Sequence, residues 1–280
     1  VLFLNPKGML VKKQPGYLET DVFLSTCDSV LNNNDELTFN GANLNPGFPE
    51  FYLNSFDPEK RKEKVSPETV TAFLDKQKDL TDEISWAIMS RFSLNEKYTQ
   101  HFLNKKDTYA KMYGKDEVLD KVMGLGYNKL DLAIQNKSED DLTQAIKYVK
   151  TYFDEKYQEK TIQNFEISYY QGIGNWGKFA ELVKSIIKEA HPNQINGYAW
   201  DIYEKCDDKE VINMACDWMS IAVEKNQDYA LLDTYSAVLY KAKKYDEAEK
   251  WAEKAIKIGE EAGEKVGDTK KLLEKIKAEK

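Results

Sequence analysis

The 280 residues predict a mainly α protein, a superhelix of antiparallel helical hairpins with a short β-hairpin and helix at its front. Three features predict it. Six of the seven prolines (Pro6, Pro15, Pro46, Pro49, Pro58, Pro67) fall in the first 67 residues, and only Pro192 lies beyond them. Proline removes an N–H and clashes with the preceding turn, so a nearly proline-free stretch is free to be helical. From Val70 onward apolar residues recur at helical spacing almost without interruption. At the front, Val1-Leu2-Phe3-Leu4 is an apolar run without alternation, the pattern of a strand covered on both faces. The expected organisation is a β-hairpin and helix over 1–35, a linker over 36–66 and a helical domain over 67–280.

Composition narrows the function classes. Forty Lys and Arg against 48 Asp and Glu leave a net charge of −8, and the isoelectric point is near 5.1. Nucleic-acid binding needs a basic face, so none is expected. Mean hydropathy is −0.65, and no apolar run approaches the ~18 residues of a membrane span. A hydrophobic content of 41% supports a packed core rather than disorder. Three cysteines and two histidines exclude a disulfide framework and leave no expected metal site or cofactor.

Taking the elements in order, Asn5-Pro6-Lys7-Gly8 is a turn in which proline presets φ and glycine closes cheaply. Met9-Leu10-Val11 returns as the second strand, and Gly16-Tyr17 breaks it. A helix begins at Asp21, carries Val22, Phe23, Cys27, Val30 and Leu31 near one face, and ends in Asn32-Asn33-Asn34. Residues 40–49 are dense in turn formers, and the charges from Asp57 to Lys64 nearly cancel, as in a solvated linker. Ser66-Pro67-Glu68 starts a helix: serine caps, proline is tolerated first, and glutamate suits the positive end of the dipole. Ser138-Glu139-Asp140-Asp141 resembles a capping box ahead of Leu142, Ala145, Ile146, Val149 and Phe153. Phe179, Leu182, Val183, Ile186 and Ile187 form a stripe ended by Ala190-His191-Pro192, where a cationic His191 would favour a helix C-terminus. Breaks are expected at Gly114, Gly124-Leu125-Gly126, Gly172-Ile173-Gly174 and Gly197.

Two segments resemble known families. Val1–Leu4, the turn at 5–8, Gly16 and the helix from Asp21 to Leu31 resemble the C-terminal third of a thioredoxin-like fold. That resemblance implies a redox Cys-x-x-Cys, which is absent, as is the family's cis-proline; Cys27 stands where the family has no catalytic cysteine. Tyr235–Ile258 resembles a tetratricopeptide repeat, with small Ser236 in the first helix, Tyr245 opening the second, then Ala248 and Ala255. Ala215 and Ala222 superimpose on Ala248 and Ala255 at a spacing of 33, and the match weakens over 195–225 and again over 160–190, where Phe179 replaces the small alanine. Together with Phe102–Val122, the two ends resemble a bacterial envelope protein in which a thioredoxin fold precedes a helical domain. That implies a periplasmic or envelope location, and Val1, which is not a methionine, reads as the start of a fragment or processed chain.

The candidate chemistry is sparse. Gly172-Ile173-Gly174-Asn175-Trp176-Gly177 satisfies G-x-G-x-x-G, but a helix precedes it where a dinucleotide site needs a strand, so a hairpin turn is the expectation. Cys206 and Cys216 lie on the two helices of one hairpin, where two buried thiols outweigh a disulfide. His101 and His191 have no ligand-spaced neighbours. What remains is binding. The repeat register aims Asn164, Trp200, Glu204, Asp233, Tyr240 and Lys241 at a concave face, a set suited to a protein or peptide partner. The same rings can pack between hairpins, and the sequence leaves both readings open. The expected function is a non-catalytic interaction scaffold. The alternatives are a thiol-disulfide oxidoreductase of the thioredoxin family, whose helical domain recruits substrate, and a structural subunit of an envelope assembly.

Overall fold

A computed structural model of the chain describes residues 1–4, 6, 10–13, 18–32 and 47–280. It is mainly helical, with fifteen helices and one two-stranded sheet among the described residues. The chain divides into two compact units, Val1–Tyr127 and Asn128–Lys280.

In the first unit, β1 (Leu2–Leu4) pairs antiparallel with β2 (Leu10–Lys13), with Phe3 opposite Lys12 and Leu4 opposite Leu10. α1 (Thr20–Asn32) follows, its Phe23 ring 6.3 Å from that of Phe3. None of its residues is buried, and Leu31 is 78% exposed. The turn at Asn5, Lys7 and Gly8, the return at Met9, the break at Gly16-Tyr17 and the segment 33–46 lie outside the described residues.

The later half of the expected linker is packed. α2 (Glu50–Asn54) sets Phe51 edge-on to Phe73 at 5.9 Å and to Phe92 at 5.4 Å. Arg91 donates to the Ser55 carbonyl at 2.8 Å and lies 4.0 Å over the Phe56 ring. Phe48, Phe51, Tyr52 and Phe56 carry too much apolar area for a solvated connection, and ring contacts of this kind add to burial.

α3 (Pro67–Leu74) starts as the sequence predicts, with Ser66 Oγ accepting from the Thr69 N–H at 3.3 Å. α4 (Glu83–Arg91) is capped by Asp82 and α5 (Glu96–Asn104) by Asn95. α6 (Lys106–Tyr113) brings Tyr109 and Tyr113 against Trp86 at 5.1 and 5.3 Å. α7 (Lys115–Asn136) runs straight through Gly124 and Gly126, where the sequence predicts a break. Each interior glycine costs about 1 kcal/mol relative to alanine. Burial of Val118, Val122, Leu125, Leu130 and Ala133 along the same helix outweighs that cost.

The second unit continues through α8 (Glu139–Tyr152), α9 (Glu155–Gly172), α10 (Trp176–Ile186), α11 (Pro192–Lys205), α12 (Lys209–Lys225), α13 (Tyr229–Lys241), α14 (Tyr245–Glu261) and α15 (Gly267–Ala278). The expected cap at Ser138 forms, its hydroxyl accepting from the Asp141 N–H at 3.0 Å. Asp208 and Asp228 cap α12 and α13 in the same way. α9 packs on α10, α11 on α12, and α13 on α14; α11 also packs on α13, α10 on α12, and α14 on α15. Connections of three residues within each pair leave antiparallel neighbours as the only short-loop arrangement. Gly174, at φ +75°, makes the turn between α9 and α10, so the G-x-G-x-x-G run is a hairpin turn. Gly197, the other expected break, lies inside α11.

α9, α11 and α13 begin at residues 155, 192 and 229, a constant interval of 37. The second helices, α10, α12 and α14, begin at 176, 209 and 245, so the alanine superposition at 33 is not the interval of the first helices. Ala215, Ala222, Ala248 and Ala255 are all fully buried, as small residues at close helix contacts should be. Yet Ala215 lies six residues into α12 and Ala248 only three into α14. Positions three or four apart share a helix face, so a shift of nearly one turn preserves the small-residue pattern.

Candidate functional site

α11 divides its faces cleanly. Ile195, Ala199 and Ile202 are fully buried, whereas Gly197, Trp200 and Glu204, spaced three and four residues apart, lie on the open side. Trp200 is 36% exposed, and its ring lies 5.3 Å from that of Tyr203 at 44°. Tyr203 is half-buried, and burial pushes its phenol pKa up, with the nearby carboxylates of Asp233 and Glu204 adding to the shift. Tyr240, the 37-residue counterpart of Tyr203 on α13, is also half-buried and lies 5.9 Å from the Tyr245 ring.

Lys241 ties the two helices together. Its Nζ donates to the Tyr203 carbonyl at 2.6 Å and to the Ile202 carbonyl at 3.3 Å. Those carbonyls lie at the end of α11, where that of Ile202 also accepts from the Cys206 N–H at 3.0 Å, and a cation there meets the negative end of the dipole. The ammonium lies 5.9 Å from the Tyr203 ring and 3.6 Å from Asp207, and the side chain is only 19% exposed.

Asp233 serves a different end of α13. Its Oδ1 accepts from Thr269 Oγ1 of α15 at 2.6 Å, and Thr269 pairs in turn with the Tyr229 hydroxyl at 2.8 Å. Burial holds the Asp233 carboxyl above its ordinary pKa. The residue therefore locks α15 onto α13.

Of the six residues selected from sequence, Trp200, Glu204, Tyr240 and Lys241 gather around Tyr203 on the first helices of consecutive pairs. Asp233 is engaged with α15. Asn164 is half-buried on α9, and among the described residues no hydrogen bond or ring contact joins it to the others. Tyr203 was not among the six, although it stands 37 residues before Tyr240. Asp201, beside Trp200, is held by Gln171 of α9 and by Lys205.

The other reactive side chains are placed for structure. Cys27, Cys206 and Cys216 are free. Burial pushes the Cys206 thiol up, and the Cys216 thiol up to about 11. His191 is the N-cap of α11, Nδ1 accepting from the Asn193 N–H at 3.3 Å, so it does not serve a helix C-terminus as the sequence predicts. Pro192 fills the first helical position behind it. His101 Nε2 is buried without a partner, and burial, then the charge of Lys105, lowers its pKa. Among the described residues, no cluster of three or more His, Cys, Asp or Glu is placed to hold a metal ion. No helix among them is long and apolar enough to cross a membrane.

Compared with known proteins, the chain matches no family model, no curated protein and no solved structure.

Proposed function

We propose that the chain is a non-catalytic protein-interaction scaffold, in which α9 to α15 form a tetratricopeptide-like superhelix and the α11–α13 face receives a protein or peptide partner. The observation that carries this reading is the group of rings and charges around Tyr203, with Trp200 open to solvent. The constant 37-residue interval supports stacked hairpins, because repeat proteins present equivalent residues of successive first helices on one concave surface. An exposed tryptophan beside half-buried tyrosines, with a polar surround, suits a binding hot spot. Partner pull-down with Trp200→Ala tests it: capture should be abolished while the melting temperature stays nearly unchanged. A large loss of stability would instead make Trp200 a core residue.

A second reading is that this scaffold serves a thioredoxin-family oxidoreductase of the bacterial cell envelope by recruiting its substrate. What favours it is the β1–β2 hairpin running into α1, with Phe3 against Phe23. Cys206 and Cys216 are buried with their thiols pushed up in pKa, and neither they nor Cys27 belongs to a Cys-x-x-Cys pair. An insulin-reduction assay on this chain should therefore show no thiol–disulfide exchange, and turnover would overturn the assignment of catalysis elsewhere.

A further inference from the structure

We propose that the α11–α13 face takes a cationic segment of a partner protein, with an arginine or lysine side chain lying on Trp200 and Tyr203 and its charge directed at Glu204 and Asp207. This rests on the reading of that face as an interaction surface and adds the chemistry of the partner. The open charge on the face is negative. Residues 201–210 carry Asp201, Glu204, Asp207, Asp208 and Glu210 against Lys205 and Lys209. Two of the cations at hand are already committed: Lys205 pairs with Asp201, and Lys241 is bound to the last carbonyls of α11. Glu204 is exposed, and among the described residues no ion pair engages it. Asp207 is fully exposed and meets Lys241 only at 3.6 Å. The C-terminal end of α11 adds the partial negative charge of its dipole.

The rings complete the match. The π faces of tryptophan and tyrosine attract ammonium and guanidinium groups, most strongly when a carboxylate stands alongside. Lys241 already lies 5.9 Å from the Tyr203 ring, whereas the Trp200 ring remains open beside the exposed Glu204. An anionic segment lying beside Trp200 would meet like charge at Glu204 and Asp207, which penalises the wrong partner and steers the right one. The net charge of −8 on the whole chain acts in the same direction at longer range. Gly197, one turn before Trp200, has nothing within 4 Å of where a Cβ would stand and leaves room for a segment to run along the helix.

The test is selection of a random displayed-peptide library on the full chain, in parallel with Trp200→Ala, Glu204→Gln and Glu204→Lys. Both positions are exposed, and thermal melts should confirm that each of the three variants folds. The expected result is enrichment of sequences with arginine or lysine next to an apolar residue, lost on Trp200→Ala. The enriched peptides should bind Glu204→Gln about threefold to tenfold more weakly, and more weakly still at high salt. Glu204→Lys should shift the enriched set away from cations. If the wild type enriches neutral or acidic sequences that need Trp200, the face is an interaction surface but its partner is not cationic. Identical selection by wild type and Trp200→Ala, or none by either, would overturn the reading of the face itself.

Discussion

Replacing Lys121 with methionine should make the protein more stable at neutral pH and less responsive to alkali. Lys121, on α7, directs its ammonium to the Phe92 carbonyl at 2.8 Å, and burial pushes its pKa from 10.5 down to about 8. The lowered value means that the folded state resists the charge that the unfolded chain carries freely. At pH 7 both states hold the proton, so folding bears the whole penalty, about 3 kcal/mol for a shift of this size. Between pH 8 and 10.5 the folded state has lost a proton that the unfolded state keeps, so wild-type stability rises with pH. Lys121→Met keeps the apolar stem and removes the charge, at the cost of a hydrogen bond worth about 1 kcal/mol. The net gain at pH 7 is therefore about 1–2 kcal/mol. Urea unfolding of both proteins at pH 7 and pH 10 isolates the effect, because every other titrating group is shared. The stability difference between them should move by about 2.5 kcal/mol in favour of the wild type across that range. A difference that stays flat with pH would refute the buried, strained ammonium.

Four further outcomes are expected. Gly124→Ala, where an added Cβ meets nothing within 4 Å, should stabilise by about 1 kcal/mol. Gly259→Ala would bring a Cβ to 2.5 Å from Val266 Cγ1 and 2.8 Å from Tyr229 Cδ2, and should destabilise by about 1–3 kcal/mol; thermal melts read both. Asp233→Asn keeps an acceptor for Thr269 and removes a charge whose burial raises the carboxyl pKa, so it should stabilise at pH 7. That gain should vanish in acid, because a raised carboxyl contributes its stability below the unfolded pKa and loses it as pH rises through the folded one; denaturation at the two pH values checks this. Ellman's reagent should leave the buried Cys206 and Cys216 unmodified in the native protein and modify them on unfolding, and fast native reaction at either would contradict their burial.

Much of the helical body is legible in the sequence because its signals are local. Ser66 and Ser138 cap the helices they were expected to cap, and the stripe from Phe179 to Ile187 faces the core. Tertiary burial was harder to see. Gly124, Gly126 and Gly197 read as breaks, yet α7 and α11 continue through them because each helix buries enough apolar surface to offset a glycine. Phe51 and Tyr52 were lost among turn formers, although four aromatics within nine residues carry an area that a linker would not leave in water. At the candidate site, Trp200 and Glu204 were found from their position on the open side of a helix. The commitments of Asp233 to Thr269 and of Lys241 to the end of α11 depend on neighbours 36 to 39 residues away. Spacing within one helix says nothing about such partners. Alanine spacing at 33 also masked the 37-residue interval that relates Tyr203 to Tyr240.

The affinity of the chain for a library-selected peptide, with and without Trp200→Ala, tests the central claim most directly. A hot-spot tryptophan is worth about 2 kcal/mol or more, so the variant should bind about thirtyfold more weakly, with a melting temperature close to that of the wild type. Unchanged affinity in a folded Trp200→Ala protein would contradict the account.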